Sequence, residues 1–452
     1  MIRTIKTFLS TTHGKHLAVI FVCALMCRLL LFFMMVADVD TEIINNASPD
    51  VTAYVESADA IASELDFSTD PVYIFGPGYP SFLALMKILF GTCSHLIVLV
   101  QILLSCVGSV LLAKLAFKLT GDLRISFIAG MLNALSVTSI SLANTLLSET
   151  VFFVLVLAGF LWFIKGLERD RVCYSLLAGL CLAVAALTRS MGQLLFVILI
   201  LMSILLYPVP GMRWTRLLIR RLKHLLPAII IMVAIMGSWV IRTSHVYGVS
   251  LLSGAAPEAV AKIGLLARSD LENVEFWDLV AEVRAEVKAA ELENGKGELV
   301  WIKYADETWE LARDHPFTIA KVYLRKVVGS VNTDWPLIYY GDLTGWMDLA
   351  AQVNSTLRGM GLNIRASVLA IIGLVMLFRR KRYSIVIVLV GLYAYFALAA
   401  GFSVGQGMRY FYPGQIAWTI MAAFPLLWLF DWVKRLIHRH RDFRLDATDG
   451  SL

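Results

Sequence analysis

The sequence predicts an all-α, polytopic membrane protein with about eleven transmembrane helices. Hydrophobic residues make up 58% of the 452-residue chain, and its mean hydropathy is +0.73. A soluble chain of this length could not bury so much apolar surface. Lipid offers no hydrogen-bond partner to open backbone groups, so the spans are expected to be helices.

The basic residues, which give a net charge of +6, gather in short clusters beside apolar segments. This distribution is what the positive-inside rule produces, and it indicates membrane topology rather than nucleic-acid binding. The clusters at 211–223, 379–382 and 434–444 are expected to be cytoplasmic, as are both termini. The six cysteines show neither a disulfide framework nor a metal-binding spacing.

The alternation of apolar and polar stretches divides the chain into four predicted parts. They are an N-terminal membrane module (1–246) with a first outer loop (38–80), an extracytoplasmic helical cap (247–363), C-terminal transmembrane helices (364–433) and a basic cytoplasmic tail without fixed structure (434–452). In the cap, one helix is expected to run over 270–293. If every apolar segment crossed the membrane, the basic clusters would not all fall on the cytoplasmic side. One short segment is therefore expected to be re-entrant, and residues 79–90 are the first candidate.

This topology gathers candidate functional side chains at the outer face. The acids are Asp50 and Glu149, the bases Arg189, Arg242, Arg409 and Lys326, and the aromatic residues Tyr54, Tyr79 and Tyr410. Arginine can bind phosphate through paired donors, and a carboxylate can act as general base toward a hydroxyl or an amine. An enzyme that transfers a group from a lipid phosphate needs such a set. We expect the two acids to be catalytic, the four bases to bind the donor phosphate, and the three tyrosines to contact the sugar or the acceptor.

Each of these residues also has a purely structural interpretation. Arginines at the membrane interface commonly anchor helix ends, and Glu149 at a predicted helix start would suit the helix dipole. No cluster has metal-ligand spacing, although Asp50 and Glu149 could share a divalent ion. The residue types alone therefore leave catalysis and structural anchoring both open.

Several short motifs follow one another in a particular order across nearly the whole chain. They are Asp50-x3-Tyr54, Pro77-Gly78-Tyr79-Pro80, Leu147-Ser148-Glu149, Leu187-Thr188-Arg189, Trp239-x2-Arg242 and Met408-Arg409-Tyr410. In their order and spacing, the sequence resembles the C-type glycosyltransferase superfamily, in the branch of protein O-mannosyltransferases and lipid A aminoarabinose transferases.

The resemblance implies an inverting transferase that takes a sugar from a polyprenyl-phosphate donor on the extracytoplasmic face. Asp50 then corresponds to the essential acid of the first outer loop, either as base or as the group that orients the acceptor. Arg189, Arg242 or Arg409 would hold the donor phosphate. The acceptor would be a protein, a lipid or a polysaccharide, and the expected location is a bacterial inner membrane.

The sequence departs from the family pattern in two places. Many relatives have a basic residue just before the Pro-Gly-Tyr-Pro turn, where this chain has Phe75 and Gly76. The acid of the first outer loop is a single Asp50 preceded by Pro49 rather than an Asp-Glu pair. We also expect no large soluble C-terminal domain, which argues against an oligosaccharyltransferase.

Two alternatives to this function are a transporter or flippase for a lipid-linked glycan and a ligase that transfers whole glycans. Transporters place ionisable residues near the middle of the membrane. Here Arg28 is one of few charges within an apolar segment, and the other candidates cluster at the predicted outer rim. This placement favours the enzyme.

Overall fold

The computed structural model describes residues 11–206, 214–248, 252–253, 255–294, 297–332, 362–402 and 408–449. These residues form helices joined by short turns, and no β-strand occurs among them. The predicted all-α class is confirmed.

In the N-terminal half, long apolar helices alternate with short connecting ones. They are α1 (Thr12–Met35), α2 (Thr41–Asn45), α3 (Pro49–Glu64), α4 (Asp70–Phe75), α5 (Gly78–Phe90), α6 (Ser94–Thr120), α7 (Leu123–Ala134), α8 (Val137–Ala143), α9 (Glu149–Arg169), α10 (Val172–Thr188), α11 (Phe196–Leu205) and α12 (Trp214–Tyr247). Helix α9 packs between α6 and α10, and α10 also packs against α12. Helix α3 lies on α5, so the segment after the first span rests on the bundle.

The C-terminal half contains a group of four polar helices followed by three long apolar helices and one short helix. The helices are α13 (Ala255–Glu272), α14 (Phe276–Asn294), α15 (Glu298–Asp314), α16 (Pro316–Asn332), α17 (Leu362–Arg379), α18 (Tyr383–Gly401), α19 (Met408–Phe411) and α20 (Gln415–Asp449). We call α13 to α16 the cap. The cap has its own apolar core, and α16 packs against α18 and α19 of the bundle.

Two sequence-based expectations about these helices are wrong. The single helix expected over 270–293 is interrupted at Asn273, whose φ of 57° is left-handed. Asparagine tolerates this conformation, and the Ser269 hydroxyl donates to the Val274 carbonyl oxygen at 2.7 Å across the break. The tail expected to lack fixed structure continues α20 to Asp449, with the Arg435 side chain donating to the Asp431 carbonyl oxygen of the preceding turn at 3.1 Å.

Within the described residues, six helices are long and apolar enough to cross a membrane, or seven when the bent pair α7 and α8 is counted as one span. The two helices of this pair meet at an angle of 55°. Shorter apolar helices include α5 and α10. The class of integral membrane protein is therefore confirmed, whereas the number of eleven spans and the re-entrant segment at 79–90 stay predictions.

Arg28 lies within α1 and is fully buried among the other helices. Its guanidinium donates to the hydroxyls of Ser105 at 2.8 Å and Ser139 at 2.7 Å, and to the carbonyl oxygen of Ala134 at 3.0 Å. Ala134 is the last residue of α7, where carbonyls lack helical partners and the dipole favours a cation. Arg28 therefore stabilises the bend between α7 and α8.

The polar contacts of this bend continue to the start of α20. The hydroxyl oxygens of Ser139 and Tyr412 lie 3.0 Å apart, and the Asn133 amide donates to the Gln415 side-chain oxygen at 3.3 Å. Tyr412 directly follows α19. The bend thus fixes the position of the short helix that carries Arg409.

We expect Arg28→Ala to lower the apparent free energy of unfolding by about 3 kcal/mol or more, because it removes the donor from several buried oxygen atoms. Arg28→Lys keeps the charge but loses the planar fork of N–H donors. Its apparent free energy of unfolding should therefore lie between that of Arg28→Ala and that of the native protein. The fraction that stays monodisperse in size-exclusion chromatography after heating in detergent measures the effect.

Arg124→Ala is the matched control, since Arg124 is exposed and pairs with Asp431 at 3.2 Å. An exposed pair contributes about 0–1 kcal/mol, so this variant should behave like the native protein. Equal heat resistance of Arg28→Ala and the native protein would show that the buried network does not hold the bundle.

Candidate active site

Asp50 stands in the first turn of α3. The Ser48 hydroxyl caps this helix by accepting from the Val51 backbone N–H at 3.3 Å, and Pro49 takes the first helical position, which suits its fixed φ. The positive end of the helix dipole therefore favours the Asp50 carboxylate. Its side chain is 19% exposed, so a ligand can reach it from solvent.

Glu149 is the first residue of α9 and is completely buried. Its Oε1 atom accepts a hydrogen bond from Arg409 Nε and forms an ion pair with Arg189 Nη1 at 2.7 Å. Its other oxygen, Oε2, has no hydrogen-bond partner among the described residues. One carboxylate oxygen thus contacts two arginines, while the other is buried without a hydrogen-bond partner among the described residues.

Arg409 joins three parts of the chain through one guanidinium. Its Nη1 donates to Asp50 Oδ2 at 2.5 Å, while its Nε donates to Glu149. The two partners lie 359 and 260 residues away along the sequence. Arg409 therefore connects α3, α9 and α19 at one point.

Arg189 completes the cluster at the end of α10. Its Nη1 also donates to the Ser148 hydroxyl at 2.9 Å, and its guanidinium lies 4.8 Å from the centre of the Tyr410 ring. The Ser148 and Tyr54 hydroxyl oxygens are 3.3 Å apart. The structure thus brings Tyr54 and Tyr410 to the same cluster as the four charged residues.

The four charged side chains balance one another. Asp50 and Glu149 supply two negative charges, and Arg189 and Arg409 supply two positive ones. Buried charges are stable only when paired in this way. A phosphate that enters the cluster adds a negative charge and competes with the two carboxylates for the arginines.

Tyr54 and Tyr79 lie buried beside the charged cluster rather than on an open surface. Their rings meet edge to face with centroids 4.8 Å apart. The Tyr79 hydroxyl donates to Gln101 Oε1 at 2.7 Å, and Gln101 in turn donates to the Thr145 carbonyl oxygen at 2.6 Å. Burial raises the pKa of the Tyr54 hydroxyl, which keeps it neutral. These contacts favour a supporting role for both rings over direct contact with a sugar.

The structure places Arg242 outside the cluster. Its guanidinium donates to the Phe67 carbonyl oxygen at 3.0 Å and lies 5.2 Å from the Trp239 ring centre. Arg242 therefore ties α12 to the segment that follows α3. A role for it in holding phosphate stays a prediction.

Lys326 lies half-buried on α16, which packs against the helix that carries Arg409. It has no hydrogen bond or ion pair with any described residue. Burial and the nearby Arg325 lower its pKa. Its predicted contact with the donor phosphate also stays a prediction.

The Gly76 and Gly78 turn packs directly on the segment that ends in Arg189. A Cβ atom on Gly78 would lie 2.6 Å from the Thr188 backbone nitrogen. A Cβ atom on Gly76 would lie 2.6 Å from the Leu187 carbonyl oxygen, and its φ of +87° is itself unfavourable for a side chain. A basic residue therefore does not fit at position 76.

Sequence reasoning missed the role of Ser148 and the close packing of the glycine turn. Ser148 stands at the helix N-terminus, where serine normally caps the helix, yet its side chain makes no capping bond and contacts Arg189 and Tyr54 instead. Both features depend on contacts between distant segments. In the sequence, only the order of the motifs indicated that Ser148 and the glycine turn belong to the site.

No group of three or more His, Cys, Asp or Glu side chains in the described ranges is arranged to hold a metal ion. Asp50 and Glu149 share the guanidinium of Arg409. A divalent ion shared by the two carboxylates does not fit this arrangement, because a cation already bridges them.

Comparisons with known proteins agree with the predicted class. Residues 75–241 match the family model described as dolichyl-phosphate-mannose-protein mannosyltransferase. This segment contains the glycine turn, Glu149 and Arg189. No curated protein matches the chain by sequence.

The fold is similar to that of the archaeal oligosaccharyltransferase AglB from Archaeoglobus fulgidus, solved in complex with an inhibitory peptide and a dolichol-phosphate. The TM-score is 0.53 at 13% sequence identity, over 96% of this chain and 52% of that one. A structure of the Archaeoglobus fulgidus oligosaccharyltransferase tethered to an acceptor peptide with the NVT sequon gives a TM-score of 0.52 at 13% identity, over 94% of this chain and 50% of that one. The chain therefore spans about half the length of these proteins.

The family match and the fold together confirm the predicted resemblance to the C-type glycosyltransferase superfamily. The match begins at residue 75 and ends at residue 241, so Asp50 and Arg409 lie outside it. Their assignment to the site rests on the geometry described above.

We expect Gly78→Ala to reduce any turnover at this site by about 100-fold, since small displacements of positioned groups have effects of this size. The added methyl group must push the turn away from Thr188 and so displace Arg189. Gly237→Ala is the control, because a Cβ atom there meets nothing within 4 Å. Unchanged turnover in a well-folded Gly78→Ala protein would contradict the positioning role of the turn.

Proposed function

We propose that the protein is an inverting glycosyltransferase that moves a sugar from a polyprenyl-phosphate donor to an acceptor. The observation that carries this proposal is the guanidinium of Arg409, which is shared by Asp50 and Glu149 beside Arg189. The family match and the fold support a lipid-linked donor.

The donor phosphate binds through Arg189 and Arg409 in this proposal. A sugar phosphodiester carries one negative charge, and its oxygens accept hydrogen bonds from guanidinium groups in paired fashion. Binding takes Arg409 N–H donors from Asp50, so the carboxylate is released when the donor arrives. Glu149 stays buried and keeps both arginines oriented.

The chemical step is a single displacement at the anomeric carbon. The acceptor hydroxyl or amine forms the new bond to this carbon, and the bond from the carbon to the phosphate oxygen breaks with its electron pair on that oxygen. Asp50 takes the acceptor proton, or orients the acceptor for attack. Arg189 and Arg409 stabilise the extra negative charge on the departing lipid phosphate.

The proposal places the site at the extracytoplasmic face of a bacterial inner membrane, with both termini in the cytoplasm. The clusters of basic residues at the predicted inner ends of the spans support this orientation. The acceptor is then a protein, a lipid or a polysaccharide of the cell envelope. Arg242 and Lys326 are further candidates for contact with the donor phosphate.

Purified protein in lipid, supplied with synthetic polyprenyl-phosphate sugars and candidate acceptors, should release free polyprenyl phosphate. We expect Asp50→Asn to lower this release by about 10²–10⁴-fold, the usual contribution of a general base, without loss of folding. Glu56→Gln is the matched control, since Glu56 is an exposed acid on the same helix. It should release the lipid phosphate at the native rate.

Two outcomes would count against the proposal. Near-native release by Asp50→Asn would remove Asp50 from the chemistry. Tight donor binding by the native protein without release, across all donors and acceptors tried, would favour the flippase or the whole-glycan ligase.

A further inference from the structure

Helix α16 of the cap presents two different faces. Val322 and Ser330 are buried against the rest of the protein. Phe317, Leu324 and Val328 are 89%, 56% and 57% exposed. Large apolar side chains in a single exposed row are unusual on a helix that faces water, because that face is normally polar.

The exposed residues form one continuous stripe. Phe317, Lys321, Leu324 and Val328 are spaced three or four residues apart, which places them on the same side of a helix. Lys321 makes no ion pair with any described residue, while Arg325 at the edge of the stripe pairs with Asp270 at 2.6 Å. The stripe therefore combines apolar side chains with basic ones.

The opposite side of α16 contacts the end of α18, a helix long and apolar enough to span the membrane. The Tyr323 hydroxyl donates to the Leu398 carbonyl oxygen at 2.5 Å, and the Ser330 hydroxyl donates to the Ala400 carbonyl oxygen at 3.1 Å. Leu398 and Phe402 are themselves 47% and 41% exposed. Helix α16 thus lies where a helix able to span the membrane ends, next to exposed apolar side chains.

We propose that α16 is an interfacial helix that binds the surface of the lipid bilayer. Its stripe of Phe317, Leu324 and Val328 enters the boundary between headgroups and acyl chains. Lys321 reaches the lipid phosphates, as basic residues on such helices do. The bilayer is the occupant because α16 contacts the last turn of α18, where a helix able to span the membrane ends, and because Lys321 lies within the apolar stripe.

The proposed contact between α16 and the bilayer also affects the candidate active site. Helix α16 also packs against α19, which carries Arg409, and its inward side bears Lys326. The bilayer surface then supports the cap on one side of α16, and the charged cluster lies on the other. This inference does not depend on the proposed function, because it rests on exposure and packing alone.

Photocrosslinking in lipid nanodiscs tests the proposal. The variants Leu324→p-benzoylphenylalanine, Val328→p-benzoylphenylalanine and Phe317→p-benzoylphenylalanine are made in the full chain, with a mixture of anionic and zwitterionic phospholipids. Exposed apolar side chains partition into lipid, so phospholipid adducts at these positions should exceed those of the control by about tenfold or more. Mass spectrometry of the irradiated protein identifies the adducts.

Two reference positions make the result decisive. The same probe at Leu398, on the exposed side of α18, should form phospholipid adducts, and at Arg284, exposed on α14 of the cap, it should form few. Phe317 is so exposed that the probe there cannot disturb packing.

Three results would overturn the proposal. One is the absence of lipid adducts at all three stripe positions while the Leu398 variant forms them. The others are crosslinks from the stripe to a second copy of the chain, or to residues 333–361 of the same chain.

Discussion

The guanidinium of Arg409 is the constraint on which the candidate site depends. It is buried, and two carboxylates from distant parts of the chain, Asp50 and Glu149, share it. Removal of one partner from a buried ion pair typically costs about 3–5 kcal/mol, because a charge is left without compensation. Several separate features position these groups, including the capped start of α3, the close packing of the glycine turn beside Arg189 and the Arg28 network near the end of α19.

The same interactions connect stability with the proposed chemistry. With Arg189, the cluster contains equal numbers of positive and negative charges and needs no ligand to be neutral. A donor phosphate brings an additional negative charge and competes with the carboxylates for the two arginines. Asp50 is the carboxylate most able to move, since it is partly exposed whereas Glu149 is fully buried. Donor binding and activation of Asp50 are therefore one event in this account.

Hydropathy, charge clusters and the order of the motifs were sufficient to predict the helical membrane class and to select four residues that meet in the structure. They could not predict which side chains touch, because that depends on how each helix is rotated in the bundle. Arg189 and Arg242 both looked like phosphate ligands at helix ends, yet only Arg189 contacts Glu149. The break at Asn273 and the bend between α7 and α8 were missed because single residues and buried contacts decide them.

The most direct test of the shared guanidinium is the affinity of the purified protein for polyprenyl phosphate, measured by titration with single variants. Arg409→Gln should weaken binding by about tenfold or more, since a charge-assisted hydrogen bond contributes about 1.5–3 kcal/mol. Asp50→Asn should leave the affinity unchanged or increase it, because it removes the anion that competes for Arg409. Weakening by Asp50→Asn as large as that by Arg409→Gln would contradict the account.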